Sequence, residues 1–238
     1  MEQDFLSDIE LYFTSAENVK ESTLAITGDE CKHITRVMRH QPGDKLFVTD
    51  GSGSIFETEI NSAAKSEVIC EIKNRLSYKK QLPNVVVCIP RLRSQDRFEF
   101  ALEKCIELGI TEFIVYTAER SVAKGEKLER WNKIALSAMK QSLRSFLPNI
   151  GYKKSLSELL QTENNVLYFD QKSELSVKDK INELKENEVK TLLIFGPEGG
   201  LSEKEFNILK EKGIACQLTS NRLRAETAIV TAVSVISV

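Results

Sequence analysis

Two rhythms of apolar and polar residues divide the chain. From Leu24 to about Ile72 they alternate over short runs, KLFVTDG, SIFETEI and SEVICEIKN, separated by GSGS and NSAAKS. Successive side chains of a strand point to opposite faces, so this period of two predicts half-buried antiparallel strands of a small sheet or barrel. A helical turn with an acidic start and a basic end is expected from about Asp29 to Arg39. The polar, proline-bearing stretch SYKKQLPN (Ser77–Asn84) reads as a connector, which places a boundary between residues 1–76 and 77–238.

After the connector the rhythm changes. Near-continuous apolar runs VVVCI (Val85–Ile89), FIVY (Phe113–Tyr116), VLYF (Val166–Phe169) and LLIF (Leu192–Phe195) are spaced by helical patterns. Strands buried on both faces carry no polar face, so this alternation predicts an α/β fold with a mainly parallel sheet between helices. One helix puts Phe98, Ala101, Leu102 and Cys105 on one face and stops at Gly109; another stripes Trp131, Ile134, Ala135, Ala138 and Ser142 and ends before Pro148. Ser155 with Glu158, and Ser202 with Glu205, have the spacing at which a hydroxyl and a carboxylate satisfy each other's unpaired amides at a helix start. The charged stretch Lys172–Lys190, anchored by Leu175, Ile181 and Leu184, reads as a surface helix and loop.

Composition narrows the chemistry mainly by exclusion. Thirty-three Lys and Arg oppose 35 Asp and Glu, so the total charge of −2 does not itself point to nucleic acid, and any such surface has to be local. The five cysteines are odd in number and form no CxxC pair, which argues against a disulfide framework and against a metal cluster. The start, MEQDFLSDIE, lacks an apolar signal core, and no run approaches the roughly 18–20 apolar residues of a membrane span. The expectation is a cytoplasmic protein with no membrane, DNA or metal partner.

The stretch FGPEGGLSEKEF (Phe195–Phe206) leaves an apolar strand, turns on glycines and starts a helix. It lacks the lysine of a phosphate-binding GxxxxGK[ST] loop and does not fit GxGxxG. Two readings remain: a tight connector that needs positive φ, or a cradle in which glycine lets a ligand approach the peptide groups. A second loop, within LTSNRLRAETAIVTAV (Leu218–Val233), follows the predicted strand IACQL. Two loops at neighbouring strand ends can grip one small molecule.

GPEGGLSxxE (Gly196–Glu205) and LRAETA (Leu223–Ala228), together with HITRVMRHQPGD, EKCIELGI, ERS and KQSLRSFLP in that order, resemble the RsmE family. These are 16S ribosomal RNA uridine-N3 methyltransferases of the SPOUT class. The resemblance implies a PUA-like β-barrel over residues 1–76 and a trefoil-knotted methyltransferase domain over 77–238. It also implies S-adenosylmethionine as cofactor, a homodimer, and 16S RNA of the small subunit as substrate. Two positions depart from the family pattern: LYF (Leu11–Phe13) stands where members carry an Arg-Phe pair, and Thr219 where they often carry glycine.

On that resemblance Gly196, Pro197, Gly199 and Gly200 would present peptide groups to the cofactor, with Phe169, Leu218 and Leu223 as apolar walls. Arg224 and Glu198 are the catalytic candidates. A guanidinium fork can stabilise the negative charge that spreads onto O2 and O4 when uracil loses its N3 proton, and Arg224 is also counted with the cofactor site. Glu198 is read as holding a ribose or an arginine; Arg224 alternatively pairs with Glu226 or Glu198 as a structural clamp. No residue is identified as the proton acceptor. His33, Arg36, Arg39, Arg120, Lys140, Gln141 and Arg144 are the RNA-contact candidates. From Arg120 to Pro148 seven Lys or Arg face two Glu, a local +5. Two competing readings are a related enzyme acting on another base or on a ribose 2′-hydroxyl, and a non-catalytic RNA-binding module.

Overall fold

The computed structural model describes residues 9–161, 164–186 and 188–237. Two compact units emerge: the chain up to Lys80 together with Met139–Leu147, and Gln81–Ala138 together with the chain from Pro148 onward.

The first unit holds β1 (Leu11–Phe13), β2 (Thr23–Thr27), the short helix α1 (Gly28–Lys32), β3 (Lys45–Thr49), β4 (Ser54–Ala63) and β5 (Glu67–Ser77). The strands form one curled sheet in the order β1-β3-β4-β5-β2, with β1 parallel to β3 and every other pairing antiparallel. The alternation seen in the sequence becomes a common inner face: Val48 lies opposite Phe56, Ile60 opposite Cys70, and Leu24 opposite Cys70 from the other side. All are buried with Tyr12, Ile26 and Val68. Register shifts at Glu57/Thr58 and Ile60/Ser62 bend the long β4–β5 hairpin, as bulges do.

Met139–Leu147 seals one edge of this unit. Phe146 bridges to Ser52, Leu147 N–H donates to Gly51 O at 2.8 Å, and Gly53 N–H donates to Ser145 O at 2.9 Å. Gly53 has φ +110, and a β-carbon there would lie 2.6 Å from the Phe146 ring, so glycine is required. Sequence periodicity could not reveal this return of the chain, because nothing local in SLRSFL records which strand it meets.

The second unit comprises β6 (Val85–Pro90), α2 (Gln95–Glu107), β7 (Glu112–Tyr116), α3 (Leu128–Gln141, whose last turn groups with the first unit), β8 (Asn149–Lys153), α4 (Leu156–Leu159), β9 (Asn165–Phe169), α5 (Ile181–Glu186), β10 (Thr191–Ile194), α6 (Glu203–Lys212), β11 (Ile214–Cys216) and α7 (Ala225–Ser237). Its sheet is parallel throughout, in the order β11-β9-β10-β6-β7-β8. The four apolar runs are β6, β7, β9 and β10. The sequence pattern missed β8, an edge strand, NIGYK, with only Ile150 buried. On α3, Trp131, Ala135 and Ala138 are buried as expected and Met139 joins them, whereas Ile134 and Ser142 are only half-buried. In the charged stretch after β9, Val177 and Leu184 are buried; Leu175 and Ile181 are half-exposed.

No helix among the described residues is long and apolar enough to cross a membrane. All five cysteines are fully buried thiols outside any disulfide. Desolvation pushes the Cys70 thiol up to about 11 and those of Cys88 and Cys105 further. Thiolate is the reactive form, so native protein at about pH 8 should show no fast thiol with a chromogenic disulfide reagent, against five after denaturation. One or more fast equivalents in the native state would contradict this burial.

Candidate active site

In open parallel sheets, ligands bind outside the carboxyl ends of the strands. Here the adjacent strands β11, β9 and β10 deliver their following loops to one place. The loops 169–171, 195–200 and 218–225 surround a cavity of about 780 Å³, within the range of small-molecule sites, roughly 300–1,000 Å³. The proposed convergence of the two motif loops is therefore present: Phe169, Gly196, Pro197, Glu198, Gly199, Gly200, Leu218, Leu223 and Arg224 all line the cavity.

The cradle is fixed from behind. Gly200 takes φ +71 and donates its N–H to Pro197 O at 2.8 Å. Gly199 lies against the chain after β7, where an added β-carbon would sit 3.3 Å from Arg120 O. Tyr116, fully buried, donates its hydroxyl to Phe195 O at 2.6 Å. Burial holds that phenol well above its usual range, so it remains a donor. Phe195 stacks on Phe169 with centroids 4.6 Å apart, making an aromatic wall between β10 and β9.

Glu205 connects the motifs. Its Oε2 accepts from Ser202 N–H at 2.9 Å while the Ser202 hydroxyl accepts from Glu205 N–H, the reciprocal cap expected from the sequence. Its Oε1 accepts from Glu119 N–H at 2.9 Å, tying the ERS segment to the same turn. At Ser155 only half the expected arrangement forms: the hydroxyl caps Glu158 N–H, but the Glu158 carboxylate reaches Lys154.

The two catalytic candidates have different surroundings. Glu198 is exposed, and its carboxylate accepts from Arg93 N–H at 3.1 and 3.3 Å, binding the chain after β6 to the cradle. Arg224 is exposed at the cavity wall and makes no ion pair among the described residues. The clamp partners considered for it are otherwise engaged, since Glu226 lies 3.5 Å from Arg97 and Glu198 takes the Arg93 amide. Thr219, noted in the sequence, also lines the cavity, as do Arg97, Asp170, Gln171, Asn221 and Arg222, which were not singled out from the sequence. Most follow directly from the same loops. Arg97 comes from α2, and its only sequence clue is the need of the buried Glu226 for a cation. Thr219, at the departure from the family pattern, accepts Asn221 N–H at 3.3 Å through its hydroxyl and so closes the turn that glycine would leave open.

The RNA-contact candidates separate. Arg36 and Arg39 are exposed, and His33 pairs with Glu10 at 2.9 Å. Arg120 is exposed, 3.5 Å from Gly199 O, and Gln141 is exposed. Lys140 is ion-paired with the half-buried Glu30, and Arg144 is half-buried, with desolvation lowering its pKa. In space the local +5 falls to +3, because two carboxylates from outside the segment pair with it: Arg130 forks onto Glu99 at 2.6 and 2.9 Å, and Lys140 pairs with Glu30.

A family profile described as "RNA methyltransferase domain" matches residues 79–237, and one described as "RNA methyltransferase PUA domain" matches 26–73. The chain is 35% identical to the Ribosomal RNA small subunit methyltransferase E of Bacillus subtilis, over 90% of each chain. Among solved structures it resembles a probable rRNA-methyltransferase from Porphyromonas gingivalis at 29% identity and TM-score 0.79, covering 95% of this chain and 96% of that one. A Ribosomal RNA small subunit methyltransferase E from Neisseria gonorrhoeae bound to S-adenosyl methionine shares the fold at 24% identity and TM-score 0.81, covering 95% of each.

Proposed function

The chain belongs to the ribosomal RNA small subunit methyltransferase E family, and from that membership we propose that it methylates N3 of a specific uridine in 16S RNA, using S-adenosylmethionine. The observation that carries this reading is the meeting of the GPEGG and LRAETA loops around one cavity.

The residues present fit the cofactor. Phe169, Leu218 and Leu223 supply apolar walls, and Gly196, Gly199 and Gly200 leave peptide groups open to a ligand. Pro197 stiffens the turn through its fixed φ. The Neisseria gonorrhoeae protein of the same fold is described as bound to this molecule. Bound here, S-adenosylmethionine supplies a methyl group already activated on a sulfonium, with no metal needed. The chain orients and desolvates the reacting groups. Arg224, exposed at the cavity and without an ion-pair partner among the described residues, stabilises the charge on the uracil oxygens. Glu198 acts through Arg93, holding the cradle in place.

Residues 1–76 serve as the PUA-like RNA-binding domain, with His33, Arg36 and Arg39 facing RNA, and residues 77–238 as the knotted catalytic domain. Arg120, Gln141 and Arg144 add contacts, while the charge of Lys140 is committed to Glu30. The enzyme works as a cytoplasmic homodimer on the small subunit. The test is transfer of labelled methyl to small subunits from cells lacking the enzyme, followed by nucleoside analysis. Label in 3-methyluridine is expected. Label in a 2′-O-methyl nucleoside or another base would favour the related-enzyme reading, and absence of both transfer and cofactor binding would favour the non-catalytic module.

A further inference from the structure

The segment HITRVM (His33–Met38) breaks the rule that places apolar residues inside. Cys31 and Ile34 are fully buried, and continued α-helical spacing would carry Met38 onto the same inner face. Instead the winding widens to a π-type turn. Arg39 N–H donates to Ile34 O, five residues back, and Arg39 closes the turn in the left-handed region at φ 60, ψ 33. Val37 is left 65% exposed and Met38 46% exposed, side by side.

The turn is held firmly from below. The Thr35 hydroxyl donates to Cys31 O at 2.8 Å, His40 N–H to Ile34 O at 3.1 Å, and Gln41 N–H to the Asp44 carboxylate at 2.9 Å. Asp44, the one acid between Lys32 and Lys45, is engaged by His40 at 3.1 Å. Arg36 and Arg39 flank the apolar pair, exposed and without an ion pair among the described residues. An exposed apolar pair set between cations complements a polyanion that also offers apolar faces. Single-stranded RNA does so, since its phosphates seek guanidinium and its unstacked bases seek a flat or soft apolar surface.

We propose that Val37 and Met38 form a wedge on which an unpaired base of the RNA substrate stacks, with Arg36 and Arg39 gripping the phosphates beside it. The proposal rests on the RNA-methyltransferase reading and adds to it a contact that is not electrostatic. Because both apolar side chains are exposed, Val37→Ser with Met38→Ser leaves the fold intact, as circular dichroism will register. The double variant should bind 16S RNA fragments about tenfold more weakly, with the slope of log affinity against log salt unchanged. Arg36→Gln should flatten that slope by about 0.7. In Met38→Trp, the new indole should be quenched on RNA binding, while the buried Trp131 gives a constant background.

Unchanged affinity in the double variant, an unquenched indole in an RNA-bound Met38→Trp protein, or a change in oligomeric state in place of RNA affinity would each overturn the wedge. If the unmodified protein neither binds nor methylates RNA, the functional reading itself fails, and the wedge falls with it.

Discussion

Replacing Arg224 with alanine is expected to lower kcat by about 10²- to 10³-fold, the usual cost of deleting one donor that faces developing charge in a water-poor site. The fold should be unaffected, because Arg224 is exposed and no ion pair among the described residues is lost. Arg224→Lys should recover little, since an ammonium cannot present a planar pair of N–H groups to a carbonyl edge. The decisive comparison uses RNA carrying 5-fluorouridine, whose N3 proton leaves more readily. If Arg224 stabilises the uracil anion, the penalty for losing it should shrink on that substrate. Equal penalties on both substrates, or an alanine variant within about twofold of the parent, would remove Arg224 from catalysis.

Glu205→Ala is expected to produce the larger loss of stability. The side chain is 3% exposed and accepts two backbone N–H groups, from Ser202 and from Glu119. Alanine orphans both, at about 1–3 kcal/mol each, offset in part by removing a buried charge. A net loss of about 2–4 kcal/mol would lower the thermal midpoint by roughly 5–15 °C for a chain of this size. Ser202→Ala removes only the hydroxyl half of the cap and should cost about 1 kcal/mol. Equal midpoints for the two variants would show that the link to Glu119 adds nothing. With that link intact, the ERS segment stays against the turn that forms the cradle, so cofactor affinity should fall together with stability in Glu205→Ala.

Much of this molecule is legible in one dimension. The strands β3 to β7 and β9 to β11, the helices α2, α3 and α6, the Ser202–Glu205 cap and the two ligand loops follow from apolar period, capping spacing and glycine placement. These depend on residues a few positions apart. The loops also carry their own chemistry, because a cradle built from peptide groups needs small residues, and GPEGG advertises them directly.

What only the tertiary structure decided are the partners supplied from far along the chain. Glu198 reads in sequence as a catalytic candidate holding a ribose or an arginine and in space accepts the Arg93 backbone N–H; Lys140 looks like an RNA contact and pairs with Glu30. The basic run after Arg120 loses much of its charge to carboxylates such as Glu99, which sequence distance hides. The turn at His33–Met38 was legible as helical but not as π-wound, since one added residue per turn reverses which side chains face water without altering the composition. Spacing along the chain determines which face a residue can present; the packing of distant segments determines what that face meets.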